Sequence, residues 1–244
     1  MGDRFATTQW SIVLAARDGT ESEARRALES LCVSYWYPTY AFVRGRGHRP
    51  EEARDPTQSF FADLLERDVM KSVDRDKGRF RSFLLACLGN FLSHDRDRNR
   101  TLKRGAGFEF VSLDAAMDTK TAEARFQREP VDELTPEQIF ERRWGLTVME
   151  RAMRRLGEES VEAGKEAHFL RLRQYLTGDG DHGSYRAAAA ELGISEAAIK
   201  NAVRRMRQRY GTLLRREVGE TVAHDELDDE LRHLLAVIRP WQRA

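Results

Sequence analysis

The clearest chemical capability in this chain belongs to a basic stretch between residues 196 and 216. It holds seven bases against the single acid Glu196, and these are Lys200, Arg204, Arg205, Arg207, Arg209, Arg215 and Arg216. Lysine and arginine side chains bind phosphate groups, and arginine also presents donors that match the edges of bases. Residues 217–230 then carry seven acids and no Lys or Arg. The pattern indicates a surface that can hold nucleic-acid phosphates, followed by a segment that repels them.

Residues 184–200 have the layout of a helix-turn-helix, which would present this basic surface to a partner. A short first helix is predicted by apolar and small residues at helical spacing, which are Tyr185, Ala188, Ala189 and Leu192. Gly193 can adopt the left-handed conformation of the turn, and Ser195 is a preferred N-cap for the second helix. The second helix would bury a face made of Ile199, Val203, Met206 and Tyr210.

The opposite face of that second helix is predicted to contact DNA. A recognition helix needs donors near its N-terminus, because base edges are read in the major groove while Lys and Arg hold phosphates. The predicted contacts are Ser195, Glu196, Lys200, Asn201, Arg204, Arg205 and Arg207. The alternative interpretation is a solvated basic face on an ordinary helical hairpin.

The rest of the chain is dominated by helical spacing of apolar residues. No run alternates as a β-strand does, so the pattern predicts an all-α fold. Asp55, Pro56 and Gln58 form a capping-box pattern, which predicts the start of a helix that buries Phe60, Phe61, Leu64 and Leu65. A polar loop over residues 66–79 then leads to a helix that is apolar in its first half and basic at its end.

Changes in composition predict two small helical domains joined by a linker. Residues 1–104 are expected to form the first domain and residues 140–216 the second, which contains the helix-turn-helix. Between them, residues 105–139 are acidic, carry two prolines and lose the helical spacing, which is typical of an interdomain linker. Residues 217–244 form an acidic, amphipathic C-terminal extension.

Composition and motifs also exclude several classes of protein. The 244 residues include 41 Lys and Arg against 40 Asp and Glu, so a nucleic-acid partner depends on where the charges lie rather than on their sum. No phosphate loop, zinc pair, nucleophile elbow or CxxC pair is present, which argues against an enzyme and against a metal or cofactor. The two distant cysteines are expected to be reduced core thiols. No signal peptide or membrane span is visible, and the expected location is the cytoplasm.

The chain resembles a bacterial RNA polymerase sigma factor of the extracytoplasmic-function (ECF) group, over about residues 21–104 and 141–216. In the second domain the resemblance rests on Tyr185, on residues 192–196 and on the bases that follow Ile199. It implies that this helix reads the minus-thirty-five region of a promoter. The function it implies is binding of core RNA polymerase, promoter recognition and transcription initiation.

In the first domain the resemblance implies a helix that melts the promoter and, with the loop before it, holds the minus-ten region. The residues matched to this role are Lys77, Arg79, Arg81, Asn90, Arg96 and Arg98. The preceding helix resembles the family's polymerase-docking helix, and the implied contacts are Asp55, Gln58, Phe61 and Leu64. The implied partners are core RNA polymerase and promoter DNA, with an anti-sigma factor as a further candidate.

Two other functions stay open from the residues alone. One is a stand-alone helix-turn-helix regulator that binds operators without joining RNA polymerase, usually as a dimer. The other is a protein-interaction module that sequesters a regulator and never meets DNA. The C-terminal extension also has two interpretations. It is expected to pack as a helix on the second domain, and the alternative is an autoregulatory arm that competes with DNA for the basic helix or covers the polymerase-docking face.

Overall fold

The computed structural model describes residues 9–66, 73, 79–98, 119–128, 134–176, 185–219, 222 and 226–238. All regular structure in these ranges is helical, which confirms the all-α prediction. The helices are α1 (Gln9–Asp18), α2 (Glu21–Gly45), α3 (Pro50–Glu66), α4 (Phe80–Arg98), α5 (Thr119–Gln127), α6 (Pro136–Glu162), α7 (Glu166–Leu172), α8 (Tyr185–Leu192), α9 (Glu196–Gly219) and α10 (Leu227–Ile238). A 3₁₀ turn, Arg173–Tyr175, follows α7.

The described residues belong to two compact units. Unit 1 lies within Met1–Thr147 together with Gly219–Ala244, and unit 2 is Val148–Val218. One division therefore falls inside α6 rather than in the expected linker. The C-terminal extension belongs to unit 1, together with the first half of α6, which the sequence analysis assigns to the second domain. The reason is that α10 contacts the parts of α4 and α6 that lie in unit 1, as described below.

Helix α2 supplies the aromatic core of unit 1. Its most buried aromatic side chains, each at most 1% exposed, are Tyr35, Trp36, Tyr40 and Phe42. The Tyr35 ring meets Phe80 of α4 edge to face at 5.4 Å, and Phe42 meets Phe140 of α6 in the same manner at 6.5 Å. Edge-to-face pairs add to the stabilisation that burial of the rings supplies. The core of unit 1 thus joins the N-terminal helices to the first half of α6.

Helix α3 begins earlier than the capping-box pattern predicts. It begins at Pro50, so Asp55 and Pro56 lie inside the helix and the predicted N-cap at Asp55 is wrong. Proline is well suited to a first helical position because its missing N–H has no partner there. The Arg49 carbonyl accepts hydrogen bonds from the N–H groups of two residues in the first turn. Ala53, in the added turn, is fully buried, so packing extends the helix towards its N-terminus.

Helix α5 lies within the segment expected to be a linker, so the linker prediction is wrong for residues 119–128. Its Glu123 carboxylate accepts a hydrogen bond from the Tyr40 hydroxyl at 2.8 Å. The same carboxylate accepts two more from the Arg44 guanidinium, at 2.8 and 2.9 Å. On the same helix, Phe126 is buried against Ala41. An acid and an aromatic one turn apart therefore fasten α5 to α2.

Unit 2 contains the second half of α6 with α7, α8 and α9. One core cluster consists of Ala152, Leu156, Phe169, Tyr210 and Leu213. A second cluster, described below, joins α7 and the 3₁₀ turn to α8 and α9. These clusters fix the helix that carries the basic residues against the body of unit 2.

Three further features bear on function. Among the helices described, none has both the length and the apolar character needed to cross a bilayer. No cluster of three or more metal-ligating side chains occurs in the described parts of the chain. Cys32 and Cys87 are both free thiols, and burial raises the pKa of Cys87. A raised thiol pKa disfavours the reactive thiolate.

Candidate nucleic-acid interface

The turn between α8 and α9 has the local geometry that its residues predict. Gly193 has φ +66°, a left-handed conformation that residues with a side chain rarely adopt. The Ile194 N–H donates to the Ala189 carbonyl at 3.1 Å, which satisfies one carbonyl at the end of α8. The Ser195 hydroxyl accepts a hydrogen bond from the Ala198 N–H at 3.2 Å, as an N-cap does. Three residues thus end one helix and begin the next.

The buried face of α9 is the one that the sequence predicts. Ile199 and Val203 are 0% and 2% exposed, Tyr210 is buried and Met206 is half-buried. Ile199 and Val203 pack in a cluster whose other buried members are Leu172, Tyr175, Ala188 and Ala189. Small alanine side chains let α8 and α9 approach closely. This packing fixes which face of α9 is turned to solvent.

The exposed face of α9 is basic and close to the helix N-terminus. Its exposed side chains include Glu196, Lys200, Asn201, Arg204 and Arg205. Lys200 pairs with Glu196 one turn earlier, with 2.9 Å between Nζ and Oε1. Arg204 and Arg205 form neither a hydrogen bond nor an ion pair with any residue that the structure describes. Two guanidinium groups and one amide are therefore available at this surface, which we call the α9 face (residues 196–205).

Two predicted DNA contacts of α9 have structural roles. The Arg207 guanidinium donates two hydrogen bonds to the Tyr175 carbonyl, at 2.7 and 3.2 Å, which ties α9 to the 3₁₀ turn. Arg207 is therefore not a free cation of the α9 face, because an interior carbonyl holds its donors. Ser195 caps the helix, although the residue itself is exposed.

Two of the arginines predicted to melt promoter DNA, Arg79 and Arg81, lie in an ion-pair network under α10. Arg81 of α4 is 2% exposed, and its Nε and Nη2 donate to the two carboxylate oxygens of Glu230 at 3.0 and 3.2 Å. The Nε of Arg79 lies 2.9 Å from the same carboxylate. Neither arginine is a free DNA contact in this arrangement, which corrects the prediction from sequence. The reason is that the C-terminal extension folds back onto α4.

The carboxylate at the centre of this network is completely buried. The side chain of Glu230 is 0% exposed, and this burial raises the pKa of its carboxyl while Arg81 and Arg79 lower it. Arg81 also donates to Glu141 of α6 at 3.0 Å and stacks over the Trp144 ring at 4.7 Å. A buried charge is tolerated when it is paired in this way. We call Arg79, Arg81 and Glu230, with Glu141, the arginine network.

Glu230 is a buried, charge-paired residue that the sequence interpretation missed. The acidic run of residues 217–230 predicts only a segment that repels phosphates. Asp228 and Asp229 are exposed, but Glu230 is not. A signal was present in the spacing, since Glu230 lies three residues after Leu227 and four before the fully buried Leu234. That position belongs to the apolar stripe of the helix.

The structure describes the other residues matched to the melting role to different extents. Asn90 is exposed on α4. Lys77 lies outside the described residues. Arg96 and Arg98 lie on the described backbone of the last turns of α4. The structure thus gives one exposed polar side chain of this set, Asn90, within the described part of the first domain.

The predicted polymerase-docking residues are divided between two faces of α3. Asp55 is exposed and Gln58 is half-buried. Phe61 and Leu64 are only 4% and 5% exposed, so neither side chain offers much surface to a partner in this structure. Both face the core, where Phe61 meets Phe60 edge to face at 5.4 Å. The spacing of Phe61 and Leu64 is that of a buried helix face, and such spacing does not by itself indicate a docking surface.

Comparison of the chain with family models, with curated proteins and with solved structures gives no match. The α9 face combines exposed arginines, a lysine and an amide beside a capped helix N-terminus, which are groups that bind phosphates and base edges.

Proposed function

We propose that this chain is a transcription initiation factor of the ECF sigma type, which binds core RNA polymerase and recognises promoter DNA through the α9 face. The observation that carries the proposal is the exposure of Lys200, Asn201, Arg204 and Arg205 on one side of α9. The opposite side of the helix is held by the unit 2 core. In this role the chain acts without catalysis, metal or cofactor, and it acts in the cytoplasm.

The chemistry of the α9 face suits a DNA duplex. An α-helix fits the major groove, where a guanidinium can bind guanine and an amide can bind adenine. Arg204 and Arg205 are adjacent, so they diverge around the helix and can reach a base edge and a phosphate respectively. Lys200 is paired with Glu196 by an exposed contact, which contributes at most about 1 kcal/mol and can be exchanged for a phosphate.

The test is duplex binding by the double variant Lys200→Ala with Arg204→Ala. A binding sequence is first selected from a pool of randomised duplexes with the wild-type chain, and Kd is then measured against salt concentration by fluorescence anisotropy. The variant should bind at least about tenfold more weakly. The slope of log K against log salt should be shallower by about 0.9, since the phosphate contact of Lys200 is lost.

A matched control removes two exposed arginines elsewhere. Arg49 pairs with an exposed acid three residues later, and Arg154 pairs with one four residues later. Arg49→Ala with Arg154→Ala therefore changes the net charge by the same amount as Lys200→Ala with Arg204→Ala. This control should bind the selected duplex as the wild type does. Equal weakening by both double variants would contradict a specific α9 face. Absence of sequence selection by the wild-type chain would favour the solvated basic hairpin.

A second candidate, the stand-alone operator-binding regulator, is favoured by the burial of Phe61 and Leu64. Their burial leaves Asp55 and Gln58 as the accessible part of the predicted docking set on α3. Both candidates use the α9 face in the same way. They differ in whether the chain binds core RNA polymerase.

A further inference from the structure

The arginine network places the C-terminal helix on two of the cations that the melting role would use. We propose that α10 is a self-inhibitory arm, in which the Glu230 carboxylate binds Arg79 and Arg81 where a nucleic-acid phosphate would otherwise bind. Release of α10 exposes both arginines to single-stranded DNA. The inference rests on the proposed function, because it concerns regulation of the same promoter contacts.

The contact between Glu230 and the two arginines resembles phosphate recognition. Arg81 binds the two oxygens of Glu230 through Nε and Nη2, the paired geometry that guanidinium groups also form with phosphate. Arg79 adds a third nitrogen at 2.9 Å. These N–H groups can point at only one acceptor group at a time, so the Glu230 carboxylate and a phosphate compete for them. Binding of nucleic acid at this place therefore requires α10 to leave.

The apolar contact that holds α10 in place is small, which makes release of the helix feasible. Leu234 is its fully buried apolar side chain, whereas Leu231, Val237 and Ile238 are half-buried and Leu235 is 47% exposed. Glu230 is desolvated at a cost that offsets much of its attraction to the arginines. Charge pairing and a limited apolar contact hold the helix. A polyanion that supplies new partners to the arginines can therefore displace it.

Gly145 of α6 gives a way to control the arm without altering the network. A Cβ placed on Gly145 would lie 2.9 Å from Cγ2 of Ile238 and 3.3 Å from Cγ2 of Val237. That first distance matches the separation of about 3 Å between the Cβ of one cysteine and the sulfur of the other in a disulfide. Gly145→Cys with Ile238→Cys should therefore lock α10 when oxidised. When reduced, the added Cβ should loosen the arm.

The experiment uses this cysteine pair in the full chain that also carries Lys200→Ala and Arg204→Ala. Those changes weaken binding at the α9 face, and what remains of that face is the same in the oxidised and the reduced protein. The probe is a fluorescein-labelled single-stranded DNA of mixed sequence, and the formation of the disulfide is verified by mass spectrometry. The reduced protein should bind about tenfold more tightly than the oxidised protein. Its salt slope should be steeper by about 1.4, as expected for two additional phosphate contacts on a single strand.

A second comparison tests Glu230 itself in the same Lys200→Ala, Arg204→Ala chain. Glu230→Gln removes the charge that occupies the arginines, and Asp229→Asn makes the same charge change at an exposed neighbour. Glu230→Gln should tighten single-strand binding, whereas Asp229→Asn should leave it within about twofold. Circular dichroism verifies that both variants keep their helix content. Equal tightening by both variants would overturn the proposal, because it would show a general effect of acidity.

The outcomes separate the arm from the proposed function. If the oxidised and reduced forms bind the single strand equally, the self-inhibitory arm is wrong. Selected-duplex binding that depends on Lys200 and Arg204 would then still support the α9 face. If no form of the chain binds either nucleic acid, both proposals fail. Tight binding by the reduced form alone supports the arm.

Discussion

Glu217 and Glu230 show how an acid in a charged run can become a core residue. Both lie in the acidic stretch of residues 217–230, yet Glu217 is 2% exposed and Glu230 is 0% exposed. Glu217 follows Tyr210 and Leu213 at spacing i, i+3 and i+7, and Glu230 occupies the same stripe position in α10. Each is paired with two arginines. At the residue scale, position on the helix face therefore decides the role and charge selects the partners.

Glu217→Ala is expected to destabilise unit 2. The Glu217 carboxylate pairs with Nε of Arg155 at 2.7 Å and with Nε of Arg151 at 3.1 Å. Removal leaves two arginines beside a buried hole, at a cost of about 3 kcal/mol, the low end for a broken buried pair because both arginines are partly exposed. Amide exchange of residues 210–218 should accelerate about 100-fold, as measured by mass spectrometry.

The matched change for Glu217 is Glu158→Ala. Glu158 forms an exposed ion pair with Arg154 of the same helix, and such pairs contribute about 0.5 kcal/mol. Amide exchange of α9 should then stay within about threefold of the wild type. Similar acceleration by both variants would contradict a specific role for the buried pair.

Helix α5 shows that one element can be fastened by a few polar contacts. Its Glu123 receives hydrogen bonds from both Arg44 and Tyr40 of α2. The Arg44 hydrogen bonds lower the pKa of Glu123, while burial raises the pKa of Tyr40 and keeps its hydroxyl protonated as a donor. The surrounding composition is that of a linker. These contacts, together with the buried Phe126, hold the segment as a packed helix.

The docking of α5 should depend on pH through Glu123. A carboxyl with a lowered pKa in the folded state contributes stability above its unfolded value of about 4.3, and that stability is lost as pH falls through the folded pKa. Glu123→Gln should therefore accelerate amide exchange of residues 119–127 at pH 7. The expected loss is about 2 kcal/mol, or about 30-fold in exchange.

The comparison is repeated at a pH where Glu123 is protonated in both states. After correction for intrinsic exchange rates, the wild type and Glu123→Gln should converge there. Gln127→Ala is the control, because it removes a weaker, exposed hydrogen bond to the same Glu123 carboxylate. A constant difference between wild type and Glu123→Gln across the whole pH range would contradict the ionic origin of the contact.

The whole molecule divides its surfaces between two compact units. The α9 face lies in unit 2, and the arginine network with the predicted docking helix α3 lies in unit 1. A sigma factor needs both DNA-contacting and polymerase-contacting surfaces, whereas an operator-binding regulator needs only the first. Affinity for core RNA polymerase is therefore the property that separates the two proposed functions.

Purified chain should bind core RNA polymerase with one-to-one stoichiometry in analytical ultracentrifugation. Asp55→Ala with Gln58→Ala should weaken this binding about tenfold or more, because these side chains are the accessible members of the docking set. Phe61 is unsuitable for this test, since its side chain is buried and its removal would damage the core.

The control for the docking variant is Glu162→Ala with Gln174→Ala, an exposed acid and an exposed glutamine of unit 2. It should bind polymerase as the wild type does. Absence of polymerase binding by the wild-type chain, with binding to the selected duplex retained, would favour the operator-binding regulator.

Helices whose start and stop signals are local can be predicted from the sequence alone. Gly193 and Ser195 specify the turn between α8 and α9, because a left-handed glycine and a capping hydroxyl act within a few residues. Apolar spacing specified the buried faces of α9 and α4. The all-α class and the exposure of the α9 face follow from these short-range rules.

Which charged residues are buried and which segments pack depends on contacts between residues that are distant in the chain. Arg81 and Glu230 are 149 residues apart in the chain, and Arg44 and Glu123 are 79 apart. No local pattern contains both partners of such a pair. The start of α3, the packing of α5 and the place of α10 likewise depend on contacts with distant helices. A charge can be buried only where a partner meets it, so the partner decides its role.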